Sequence, residues 1–216
     1  MFTGDIARHR DPFSRQVLET GAGTGHHFNL MATPEESPLC QTRTEILRAA
    51  KLCAPGLEAL GPATFDGDPM KATDVSRWRD TVFLPLLAPA VTEATLAARQ
   101  GCRELLRVDT SLDNRLAGPL AKASRASGRT IALSLNAPNS EATLKKFLAA
   151  VSEGKTPGHM AVVFAARAAV FHFPTRIVAG ALVLLEMRAA PVETVWAAVE
   201  SCLEVLPATQ SSLRAA

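Results

Sequence analysis

Three apolar runs lie close together inside the stretch Lys122 to Val205, and they constrain the fold more than any other feature. The first is Met160 to Phe171, the second opens at Pro174 or Thr175 and ends near Arg188, and the third opens at Pro191 and reaches about Leu206. A surface helix carries one apolar stripe and one polar face. These runs are apolar nearly all round, which predicts helices enclosed by other elements. Phe173-Pro174, Pro191 and Pro207 separate them, because proline lacks the amide proton a helix interior needs and its ring crowds the preceding turn. Chains that bury such helices must wrap them in further helices or a sheet. Ala and Leu are abundant, Tyr is absent and runs of alternating Val, Ile and Thr are few, so helices are favoured. The expected fold is all-α, a single-domain bundle of about eight helices.

The rest of the chain supplies the wrapping. Residues 1–40 read as an irregular or poorly ordered segment, with Pro12, Pro34 and Pro38 and the glycine-rich Gly21-Ala-Gly-Thr-Gly25. Residues 41–216 read as one helical domain. Thr42 and Glu45 have capping-box spacing and predict a helix through Cys53, ended by Pro55-Gly56. Thr73 or Asp74 caps the next helix, which runs past Trp78. Pro85 and Pro89 flank an apolar stretch and predict a helix start or kink. Val91 to Val108 reads as one amphipathic helix bearing Arg99, Arg103 and Arg107 as a basic edge. Asp109 or Thr110 is expected to cap its successor, which Gly118-Pro119 kinks or divides. The small residues from Ala121 to Gly128 allow another backbone close, and Ile131, Leu133 and Leu135 complete a buried end before a turn at Asn136 to Asn139. Glu141 to Val151 is a short helix with Gly154 as its C-cap.

Several function classes find no support in these residues. The net charge of +2 is spread along the chain, without the clustered basic face of a nucleic-acid binder. The uncharged apolar stretch Ile177 to Leu185 falls well short of the ~18–20 residues that span a bilayer. Cys40, Cys53, Cys102 and Cys202 are far apart, contain no C-x-x-C and read as ordinary thiols of a reducing compartment. His26-His27 cannot close a metal site alone. Neither Gly21 to His27 nor Gly154-Lys-Thr has the glycine and lysine spacing, or the preceding strand, of a phosphate-binding loop. No catalytic, cofactor-binding or metal-ligating constellation is legible, and the expectation is a cytoplasmic protein that is not an enzyme.

The pieces that remain resemble the urease accessory protein family UreF, in the family's order over some two-thirds of the chain. Gly56-Leu57-Glu58 resembles its Gly-Leu-Glu signature, followed by Trp78 and Asp80 and by the apolar Phe83 to Leu87. Leu105 to Asp109 resembles the entry to its central helix. Lys122 to Ser124 with Ser127-Gly128 resembles its small-residue helix, and Gly158-His159 with Val162 to Phe164 the helix after that. Val195 to Val199 and Pro207 to Gln210 resemble its last patterned helix and turn; Glu200 stands where the family has a basic residue. The resemblance implies a homodimeric, non-catalytic scaffold. Its partners would be a UreD/UreH-like protein, a UreG-like GTPase and urease, and the complex, rather than this chain alone, would handle nickel, with no cofactor bound stably here. Partner-interface candidates are Glu58, Ser124, His159, Arg188 and Gln210. An alternative reading is a helical domain, unrelated to urease, that encloses a small apolar ligand like the effector domain of a regulator; it requires a closed pocket.

Overall fold

The segment Met160–Val170 has no polar face to offer water. In the computed structural model, which describes residues 38–55, 62–134 and 141–206, nine of its eleven residues are buried and only Arg167 and Val170 reach partial exposure. Burying a Val or Phe side chain stabilises by about 1.5–3 kcal/mol, so this segment alone supplies a large part of the core. Alanine at 161, 165, 166, 168 and 169 keeps its surface smooth, and neighbours approach from several sides.

In chain order the elements are α1 Pro38–Cys53, α2 Ala72–Trp78, a π-helical segment Arg79–Leu87, α3 Ala88–Gln100, α4 Cys102–Asp113, α5 Gly118–Ser134, α6 Ala142–Ser152, α7 Met160–Val170, α8 Thr175–Glu186 and α9 Val192–Val205. Helix α7 packs on α1, α3, α4, α5, α6 and α8, and α8 packs in turn on α1, α3 and α9. Ala72 to Gln100 is one continuous helix, so the described residues hold eight helical rods, and the all-α bundle is the observed fold. All of the described residues belong to one unit.

The structure moves several expected boundaries. Helix α1 begins at Pro38, so Thr42 lies inside it rather than capping it; proline suits a first turn because its missing donor is unneeded there. Pro85 neither starts nor breaks a helix. The chain widens into a π segment around it, which accommodates the ring without ending the rod. This rod is the one described helix long and apolar enough to cross a membrane, yet Phe83, Leu87, Val91 and Ala94 along it are packed in the core. Val91 to Val108 is two helices, not one. Gly101 at φ +142° separates α3 from α4, a conformation open to glycine and costly for other residues, so Arg99 does not share a helix with Arg103 and Arg107. Gly118-Pro119 does divide α4 from α5. Leu133 is 74% exposed rather than buried, while Ile131 is fully enclosed. Gly154 caps α6 as expected: Lys155 N–H donates to Ala150 and Gly154 N–H to Val151, with Gly154 at φ +72°. The loops at Gly21 to His27 and at Asn136 to Asn139, and Leu135, lie outside the described residues.

Candidate functional site

Asp109 organises the site because it is a carboxylate with no exposure at all. Its placement differs from the expected cap of the following helix. It sits in the last turns of α4 and faces the loop that enters α7, which it caps from a distance. Its Oδ2 accepts from Thr156 Oγ1 at 2.6 Å and from Gly158 N–H at 2.6 Å, and its Oδ1 accepts from His159 N–H at 2.8 Å. Those amides precede the first turn of α7, where helix donors lack intrahelical acceptors and the macrodipole favours a negative charge. One buried side chain thus terminates α6's exit loop, starts α7 and ties both to α4.

Gly158 and His159 complete the node. Gly158 adopts φ +73°, and a Cβ there would meet Val151 Cγ1 at 2.5 Å. Gly128 of α5 lies under this turn so closely that a Cβ on it would fall 2.0 Å from the Gly158 carbonyl oxygen. The same close approach lets Ser124, one turn earlier, meet the His159 ring, with Oγ 3.2 Å from Nδ1. The other ring nitrogen, Nε2, lies 2.9 Å from Asp113 Oδ1, and Arg125 Nη1 reaches that oxygen at 3.1 Å. Burial pushes the His159 pKa below its ordinary value, against the opposing pull of Asp109 and Asp113. The neutral tautomer that satisfies both contacts donates from Nε2 to Asp113 and accepts the Ser124 hydroxyl at Nδ1.

Serine, histidine and aspartate in a row invite comparison with a nucleophilic triad, and the geometry argues against one. Ser124 and His159 are wholly enclosed, so no substrate carbonyl reaches Oγ. Both ring nitrogens are engaged, which leaves no lone pair for a metal. What the arrangement does is hold α4, α5 and α7 in one relative position, with a hydrogen-bonded chain running from the core to half-exposed Arg125.

A second buried carboxylate plays the same part elsewhere. Glu186, in the last turn of α8, accepts from three successive backbone amides with one oxygen: Ala63, Thr64 and Phe65 at 2.9, 2.8 and 3.1 Å from Oε2. Burial raises its pKa while these donors lower it, with burial the larger influence. The strap so held sets Thr64 against Trp78 Nε1 at 3.3 Å and Phe65 edge-on to the Trp78 ring. Beside it Arg188 donates from Nη1 to the Leu185 carbonyl, a cation at the negative end of α8.

Of the five expected site residues the structure brings Ser124 and His159 together and leaves Arg188 at the far end of α8. Glu58 and Gln210 lie outside the described residues, as do Gly56 to Glu58 and Pro207 to Gln210. Ser124 and His159 are enclosed, so neither side chain itself meets a partner's surface. Sequence reasoning missed Asp113, Thr156 and Glu186. The available signals were the four-residue step from Asp109 to Asp113, which places both carboxylates on one helix face, and a lone acid in the otherwise apolar α8.

The UreF family profile matches residues 70–190, from just before α2 to just after α8; it covers the Asp109 node, Glu186 itself and more than half of the chain, while the strap Ala63 to Phe65 that Glu186 holds lies outside it. The chain belongs to the UreF family of urease accessory proteins. No curated protein and no solved structure matches it. Among the described residues of this UreF-family chain no group of three or more His, Cys, Asp or Glu is placed to hold a metal ion. Two clefts, of about 490 Å³ between α3, α4, α6 and α7 and about 350 Å³ between α1 and α9, have charged residues among their walls. The Cys53 and Cys202 thiols are buried, with pKa values pushed up to about 12, and are poor nucleophiles and poor ligands.

Proposed function

We propose that this chain acts as a non-catalytic scaffold in urease maturation, joining a UreD/UreH-like protein and a UreG-like GTPase in a complex that loads nickel into apo-urease, with nickel as cargo. The observation that carries the reading is the family match across α2 to α8, the part of the chain that holds the central helix α7, the Asp109 node and Glu186. A scaffold needs helices held in fixed relation more than it needs an open polar pocket, and the two nodes supply that fixity. Homodimerisation, a cytoplasmic location and a partner-facing role for Glu58, Arg188 and Gln210 belong to the same proposal. The ligand-binding alternative asks for an enclosed apolar pocket, and both clefts have charged walls.

Co-purification tests the proposal. The chain is expressed with a UreD-like protein and a UreG-like GTPase, with and without GTP and nickel. A complex that survives gel filtration and carries more nickel with GTP present is expected. A folded, helical chain that captures neither partner would refute the scaffold reading.

A further inference from the structure

The corner where α7 turns into α8 carries a cation with enclosed donors that lack acceptors. Arg167, the one charged residue of α7, has Nε and Nη1 enclosed without a hydrogen-bond acceptor among the described residues. Its guanidinium lies over the Phe171 ring, 5.3 Å from the centroid. Phe171 touches Phe173 at 6.2 Å between centroids, across His172 at φ +56°. The Phe173 ring in turn lies under Arg48 of α1, 5.6 Å away. Two guanidiniums from different helices are therefore stacked on one pair of touching rings. Stacking uses the face of a guanidinium and leaves its edge donors to bond an acid. Arg48 spends part of its edge on a long, exposed contact to Glu45 at 3.4 Å. Arg167 spends none on the described residues, so no hydrogen bond has to be broken for its edge to meet a carboxylate. Phe171, at 37% exposure, offers apolar surface next to it.

We propose that this corner docks a short acidic segment of a partner protein, one that places a carboxylate on Arg167 and an apolar or aromatic side chain on Phe171, with a second carboxylate towards Arg48. Charge complementarity selects the occupant. The stacked residues are two cations and two rings, the acid beside them is the weakly held Glu45, and a planar guanidinium edge matches a carboxylate in two-point geometry. A bare anion would satisfy Arg167 and leave Phe171 uncovered. A basic or purely apolar segment would leave Arg167 unsatisfied. The proposal goes beyond the scaffold function, since it concerns residues that make neither buried node and names no accessory protein.

The test uses the full chain and a fluorescent hexapeptide, Glu-Glu-Phe-Glu-Glu-Leu, titrated by anisotropy at low and high ionic strength. Arg167→Met keeps the packed stem and removes the charge, Phe171→Ala removes the ring, and Arg48→Glu is a second charge variant whose side chain is largely exposed. Circular dichroism melts establish that each variant is folded. Saturable binding that weakens with salt is expected, reduced about tenfold or more in Arg167→Met and Arg48→Glu and also reduced in Phe171→Ala. A counterpart with lysine for glutamate should not bind. Equal binding by folded Arg167→Met or, should that variant not fold, by Arg48→Glu would overturn the proposal. So would equal binding of the lysine peptide, or displacement by inorganic phosphate at the peptide's own concentration. Neither partner capture nor nickel content enters this readout, so it fails or succeeds apart from the scaffold reading.

Discussion

Replacing Gly128 with alanine sets two physical effects against each other at one atom. Alanine is the better helix former by about 1 kcal/mol, so an isolated α5 would gain from the change. In the folded chain the new Cβ would stand 2.0 Å from the Gly158 carbonyl oxygen and 2.8 Å from both His159 C and Met160 N. All three are backbone atoms at the entry to α7, where Asp109 holds the amides and the His159 ring is pinned on both sides. Ordinary contact for a Cβ begins near 3.4 Å, so α5 and α7 must part by more than 1 Å. Overpacking of this kind costs about 1–3 kcal/mol. Separating the helices also strains the Ser124–His159 contact, and a buried polar group left unpaired adds about 1–3 kcal/mol. After subtracting the helix gain, a net loss of about 1–5 kcal/mol is expected. Urea unfolding followed by circular dichroism measures it, with Gly118→Ala as the control because a Cβ there meets nothing within 4 Å. A Gly128→Ala protein as stable as the parent, or more stable, would refute the close-approach argument.

The buried carboxylates and the histidine have consequences of their own. Asp109→Asn keeps the volume but cannot accept all three bonds, and a loss of about 2–3 kcal/mol is expected in the same unfolding assay, with α7 entry amides exchanging faster by hydrogen exchange. The lowered His159 pKa means that the folded state resists the proton, so its contribution to stability is present above the ordinary imidazole value of 6.5 and is lost as pH falls below it. The difference in unfolding free energy between parent and His159→Gln should therefore change with pH below that value and be flat above it; a difference flat throughout would contradict the neutral buried imidazole. Glu186 has the opposite sign. Its raised pKa gives a contribution fully present below 4.5 that declines as pH rises through the folded value, a slope that Glu186→Gln should remove. Glu186→Leu leaves three backbone donors without their acceptor and should lose about 3 kcal/mol or more, with the Trp78 emission shifting to longer wavelength as the strap lets go.

That this chain is a helical bundle with α7 and α8 at its centre could be read without any coordinates; α9, expected to be enclosed as well, buries only the face of Val195, Ala198, Val199, Cys202 and Leu203 and lies at the edge against α8 and the π segment, because Glu193, Glu200 and Glu204 keep its other face in water. Apolar character around the whole circumference of 160–170 leaves no face for water, and Pro174 and Pro191 stand at helix starts, where the missing amide proton is not needed; these are local properties of side chain and backbone. Gly154 was legible as a cap for the same reason. The small residues of α5 announced a close approach without naming its partner. It took the packed fold to reveal that the partner is the Gly158 turn, and that Asp109 caps a helix fifty residues away rather than its own successor. The fold also delivers to Glu186 a strap more than 120 residues earlier in the chain. A carboxylate in a helix reads locally as a cap or a surface charge. Which amides it accepts from depends on which loop the packed core brings to it, and that information is carried by the arrangement of all the helices together. The widening around Pro85 and the split at Gly101 belong with these. Proline and glycine mark a disturbance in a helix, while the neighbours packed against that point decide whether the helix bulges, bends or stops.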